Sequence, residues 1–157
     1  MASVTRNVWW GALAGAAGTT ALNAVTYLDM AVRGRPASST PQQTIERAAD
    51  LMGVSLPHDK RTKDALESGL GALLGALAGI GAGAALGAVR ALTGHPRNKT
   101  GTIATAWAMA MVVGNGPMTV LGVTDPRHWT SADWAADILP HAAYAVAAGM
   151  TLEALAD

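Results

Sequence analysis

Asp137, His141 and Tyr144 are the residues whose types and spacing come nearest to chemistry in this chain. At intervals of four and three they share one face of a helix, because residues three and four apart are neighbours on a helical surface. A carboxylate beside an imidazole can hold or pass a proton, and a phenol can extend the hydrogen-bonded chain. Pro140 lies among them and should bend the helix or begin its regular portion. Two readings stay open. One is a hydrogen-bonded cluster that locks this helix to its neighbours. The other is a proton relay or ligand contact, since ionisable groups within a membrane are costly and often functional. Asn23 and Asn115 complete the set of candidate polar groups. Asn23 stands alone in an uncharged stretch and is expected to hydrogen-bond across to another helix. Asn115 belongs to the run Gly114-Asn-Gly-Pro117, which should kink or break its helix and free backbone groups that can bind ions.

No catalytic constellation accompanies them. His58, His95, His128 and His141 are scattered, and neither a His-Glu-x-x-His motif nor a Cys pair occurs. There is no Gly-x-Ser-x-Gly elbow, and Ser68 and Ser131 have no base at a sequence-defined position. The expectation is a non-catalytic chain with no metal and no cofactor. A single histidine at membrane depth, His141, is too few for paired haem ligation.

The elements that must position these groups are read from charge. Only 14% of the 157 residues are charged, against about 25% in an ordinary soluble domain. Four windows carry no charge: Asn7–Leu28 and Ser68–Val89 of 22 residues each, Thr100–Thr124 of 25, and Ile138–Leu152 of 15. Roughly 20 helical residues cross a hydrocarbon core. The fourth window reaches that length when Asp137 and Glu153 sit near the interfaces, which places the Asp137 cluster near a membrane edge and favours its structural reading. A soluble bundle of Ala-rich helices would leave too little polar surface for water. The 11 basic and 11 acidic residues cancel, which argues against nucleic acid as a partner. The first window is long for a signal peptide and no convincing cleavage site follows it.

These windows predict an all-α fold: an integral membrane four-helix bundle, one domain over 1–157, with helices near 8–32, 64–92, 100–123 and 131–156. A short amphipathic helix, 41–52, is expected between helices one and two. Thr40, Pro41 and Gln43 should start it, and Ile45, Ala48, Ala49 and Met52 give it an apolar face for the membrane surface or a partner. Helix two carries the clearest pattern. Gly71, Gly75, Gly79, Gly83 and Gly87 recur every four residues, and Gly11 and Gly15 give helix one the same spacing. Small residues at that interval let two helices approach closely, so helix one is expected to pack on helix two. Thr130 with Asp133 reads as a capping box, and Trp9, Trp10, Trp129 and Trp134 as interface markers.

Topology follows from basic residues. Arg33, Arg35, Arg47, Lys60, Arg61, Lys63 and Arg127 fall on one side, and Arg6, Arg90, Arg97 and Lys99 on the other. By the positive-inside rule the long first loop is cytoplasmic.

The opening Trp10-Gly-Ala-Leu-Ala-Gly15, the Asp29 region and the segment Asp133-Trp-Ala-Ala-Asp-Ile-Leu-Pro-His-Ala-Ala-Tyr144 resemble a family of small bacterial inner-membrane proteins. That family supplies no functional residues to carry over. The chain is also similar in size and layout to a small four-helix accessory subunit of the mycobacterial MCE lipid-import complex. This resemblance implies a subunit packed against permease helices that neither hydrolyses ATP nor carries lipid alone. The resulting expectation is a non-catalytic accessory or stabilising subunit of a membrane transport complex, with lipid import as the implied process. Its partners would be larger integral membrane proteins such as permease subunits, together with membrane lipids. The rival is a small homo-oligomeric transporter or channel built on the polar groups above.

Overall fold

The computed structural model describes residues 2–94 and 98–155. Among them the chain forms α1 (Ala2–Arg33), α2 (Thr40–Met52), α3 (Lys60–Thr93), α4 (Lys99–Val120) and α5 (Ser131–Leu155), with a short 3-10 turn, Pro126–His128, between α4 and α5. His95, Arg97 and the last expected helical residue, Ala156, lie outside the described residues.

This architecture corrects the expected four-helix bundle with a separate amphipathic helix between its first two helices. Five α-helices are present among the described residues, and the 3-10 turn lies between the last two. The reason is burial. Ile45 and Ala49 of α2 are buried, Pro41 lies against Gly71 of α3, and Lys63 of α3 pairs with Glu46 of α2. The segment expected to lie on a membrane surface or a partner packs on α3 and buries Ile45 and Ala49, while Met52 at its end stays exposed.

The termini follow from local chemistry. Ser39, one residue before the expected Thr40, is the N-cap of α2, and Gln43 reaches back to its hydroxyl at 2.8 Å. Gly53, at φ +67°, ends α2 in the left-handed conformation that costs glycine least. Asp59 caps α3 by accepting from the Thr62 N–H at 2.9 Å, so α3 begins four residues before the expected Asp64. Asn98 caps α4 through the Gly101 N–H. The box at Thr130 and Asp133 closes in both directions at 2.9 and 3.2 Å. Of the kink or break expected at Gly114–Pro117, the break is absent: α4 stays helical through Pro117 to Val120.

The long helices alternate in direction. α1 packs on α3 and α5, α4 packs on α5 and α3, and α2 lies outside on α3. The centre is apolar and made of small side chains: Ala14, Ala82, Leu86, Ala106, Ala110, Tyr144, Ala145, Ala148 and Leu152. Three helices, α3, α4 and α5, are long and apolar enough to cross a membrane. α1, expected to be the first span, has the length but is not among the three; Asn7, Thr19, Thr20, Asn23 and Thr26 dilute its apolar character.

Candidate functional site

Two polar clusters flank the apolar centre, one toward each end of the bundle. The first joins residues expected from the sequence. Asn115 of α4 donates from Nδ2 to Asp137 Oδ2 of α5 at 3.0 Å. His141, one turn on, has Nδ1 2.8 Å from the Asp137 carbonyl oxygen and 3.4 Å from its carboxylate. The imidazole fits because Gly114 faces it; a Cβ there would come within 2.9 Å of Nε2. Both ionisable side chains are largely shielded, at 13% and 17% exposed. Helix geometry puts Asp137 about 9 Å along α5 from its start.

The remaining candidates are placed elsewhere. Tyr144 does not join the Asp137–His141 pair. It turns toward α1 and α3, where its ring covers Gly18 and its hydroxyl donates to the Gly79 carbonyl. Asn23 is exposed on α1 and makes no side-chain hydrogen bond among the described residues.

The glycines divide. Gly11 and Gly15 of α1 lie against Gly79, Gly83 and Gly87 of α3. A Cβ on Gly83 would sit 2.5 Å from the Gly15 Cα, and one on Gly15 would sit 2.6 Å from the Gly79 carbonyl oxygen. No side chain fits in this seam. Gly71 serves α2 instead, through Pro41. Gly75 faces open space although it shares the four-residue spacing.

The second cluster escaped the sequence reading. Arg90 at the end of α3 donates to both carboxylate oxygens of Glu153 on α5, at 2.8 and 3.4 Å, and the Thr102 hydroxyl of α4 donates to Glu153 at 2.6 Å. Glu153 is 5% exposed. A signal for it exists: Arg90 and Glu153 each directly follow a charge-free window, carry opposite charges and fall at the same end of the bundle. A cavity of about 420 Å³ opens beside this pair.

Further ion pairs lie outside the apolar spans, joining α2 to α3 and closing the end of α1 on itself. Lys63 bridges Glu46 and the buried Glu67, whose Oε1 lies 3.6 Å away with no hydrogen-bond partner. Hydrogen bonding to Lys63 holds the Glu46 carboxyl below the usual carboxylate range. Arg33 and then Arg35 hold Asp29 down to about 2. Asp125 is likewise lowered, chiefly by Arg127, and both anchor turns. Trp129 packs edge-on to Trp134 at 4.9 Å, and Arg6 lies 4.8 Å over Trp10.

Chemically, the Asn115–Asp137–His141 group can hold a proton or a small polar ligand, and the Arg90–Glu153–Thr102 group is a compensated ion pair. Among the described residues no three His, Asp or Glu side chains gather as a metal site. No family model, no curated protein and no solved structure matches the chain. The resemblance to small four-helix inner-membrane proteins and to an MCE-complex subunit is therefore withdrawn. Its two short stretches, rich in alanine, glycine and tryptophan, have the composition that many apolar helices share, and the five-helix architecture departs from its layout.

Proposed function

We propose that this chain is a multi-pass membrane protein acting as a non-catalytic accessory or stabilising subunit of a larger membrane transport assembly. The observation that carries the reading is where its apolar surface points. Within the most apolar stretch of α4 only 11% of residues are buried inside the chain, and within that of α3 only 22%. Leu70, Leu73, Leu74 and Leu77 on α3, with Trp107 and Val112 on α4, face outward. An outward apolar surface of this extent suits lipid and the helices of partner proteins. The interior supports the accessory role, because the two polar clusters are separated by a filled core rather than joined by a polar path.

The partners under this reading are integral membrane proteins such as transporter permeases. The location is a bacterial inner membrane, with α2 and the long first loop on the cytoplasmic side, where the greater number of basic residues falls. Purification of the tagged chain in mild detergent, followed by identification of co-purifying chains, tests it. Recovery with transporter subunits is expected. Recovery only as monomer or homo-oligomer from cells that make those subunits would sink the idea.

A second reading, a small homo-oligomeric transporter, draws on one observation: the shielded Asp137–His141 pair between α4 and α5. Solute or proton flux in reconstituted vesicles that disappears in Asp137→Asn and His141→Ala would favour it over the accessory role.

A further inference from the structure

The cavity beside Arg90 has a chemistry the accessory role does not use. It is a half-open groove of about 420 Å³, walled by Leu86, Val89 and Arg90 of α3, by Asn98 at the cap of α4, and by Thr102 and Thr105 of α4. That volume falls within the range of small-ligand sites. It opens at the ends of all three apolar helices, the level of lipid headgroups in a bilayer. Its walls are amphipathic: Leu86 and Val89 of α3 supply the aliphatic groups, Arg90 of α3 the guanidinium, and Asn98, Thr102 and Thr105 the amide and hydroxyl groups.

Arg90 supplies the recognition. Two of its N–H groups are directed to Glu153, and the other guanidinium N–H groups have no acceptor among the described residues. Glu153 does not repel an anion there, because Arg90 compensates its charge and Thr102 takes a further lone pair. Lys99, exposed and next in sequence to the wall residue Asn98, adds a basic group at the start of α4. The first turn of α4 adds its partial positive charge at the same end. Guanidinium groups match phosphate oxygens in both geometry and charge.

We propose that this cavity binds the phosphate head of an anionic membrane lipid, with the start of an acyl chain along Leu86 and Val89. The proposal rests on the membrane reading above. The lipid would sit in the seam between α3 and α4 and cement two helices that otherwise meet sparingly.

The test uses the full chain in nanodiscs of phosphatidylcholine, alone or mixed with phosphatidylglycerol. Native mass spectrometry then reads the lipid retained after extraction, and thermal melts in detergent read its effect on Tm. Phosphatidylglycerol should be retained in preference to phosphatidylcholine and should raise the Tm. Thr105→Phe fills the cavity without touching the ion pair, and should lower retention about tenfold or more at unchanged helicity. Arg90→Lys keeps the charge but loses the planar fork, and should weaken retention in the same direction. Equal retention of the two lipids, or undiminished retention in Thr105→Phe, overturns the proposal while the membrane reading stands. Displacement of the lipid by millimolar inorganic phosphate overturns it in favour of a soluble anion site. A chain that stays soluble and fails to enter nanodiscs removes the membrane reading and this proposal together.

Discussion

The Tyr144 hydroxyl on α5 donates to the Gly79 carbonyl on α3 at 2.6 Å, passing over Gly18 of α1, so that one side chain ties three helices together. Tyr144 is 2% exposed. The Gly79 carbonyl, already within a helix, has a second lone pair to accept the phenol. Tyr144→Phe keeps the ring and removes the bond, and should lower stability by about 1 kcal/mol. Tyr144→Ala also opens a cavity over Gly18, and should cost about 3–5 kcal/mol. Unfolding of both variants in mixed micelles measures the difference. Equal effects would mean that the hydroxyl alone does the tying, and an unchanged stability in Tyr144→Phe would mean that the ring does.

The glycine repeat should divide under mutation as it divides in space. Gly83→Ala places a methyl 2.5 Å from the Gly15 Cα and against the Gly11 carbonyl, both backbone groups that cannot turn aside. It should destabilise the α1–α3 pair by about 1–3 kcal/mol or more. Gly79→Leu should disrupt it further. Gly75→Ala meets open space and should be neutral, or stabilising by up to about 1 kcal/mol through helix propensity. Disulfide cross-linking between cysteines introduced in α1 and α3 reports the seam directly, and should fail in Gly83→Ala but persist in Gly75→Ala.

Arg90 and Glu153 form a shielded pair, so removing one partner should do more harm than removing both. Glu153→Ala leaves the guanidinium without its counter-charge and should cost about 3–5 kcal/mol. The double variant Arg90→Met with Glu153→Leu should recover much of that loss. A double-mutant cycle measured by thermal or denaturant unfolding checks the coupling, and additive losses would contradict it.

Acid should loosen the end of α1. Asp29 has its folded pKa depressed from 3.8 to about 2, first by the hydrogen bond from Arg33 and then by that from Arg35. A depressed carboxylate stabilises the fold above its unfolded pKa, and that contribution is lost as pH falls through the folded value. Stability should therefore drop between about pH 4 and pH 2 through this group, and Asp29→Asn should remove its share of that slope. Glu46, lowered chiefly by Lys63, acts in the same direction on the α2–α3 contact. Thermal melts across this pH range for both forms supply the measurement.

Much of the helical layout was legible before any coordinates. Alternation of long uncharged windows with polar loops reports helices directly, since each span must shed its charges. The box at Thr130 and Asp133 is local in sequence and therefore readable. The number of helices that pack together was less so. Residues 41–52 read as a surface segment because nothing local says that Pro41 meets Gly71 or that Glu46 meets Lys63. The Gly114–Pro117 run read as a kink or break because local propensity favours one. In the folded chain α4 stays helical there, and Asn115 and Gly114 are engaged by Asp137 and His141 of α5.

The amino-acid order alone determined that the chain is helical, that its charges sit at the ends of apolar windows, and that α1 and α3 carry surfaces smooth enough for close approach. Those properties depend on residue type and on spacing along one helix. Tertiary structure decided which glycines touch, that Tyr144 leaves Asp137 for Gly79, and that Arg90 finds Glu153. The last two pairings join residues 65 and 63 positions apart. They depend on the rotation and depth of each helix against its neighbours, which no single helix encodes by itself.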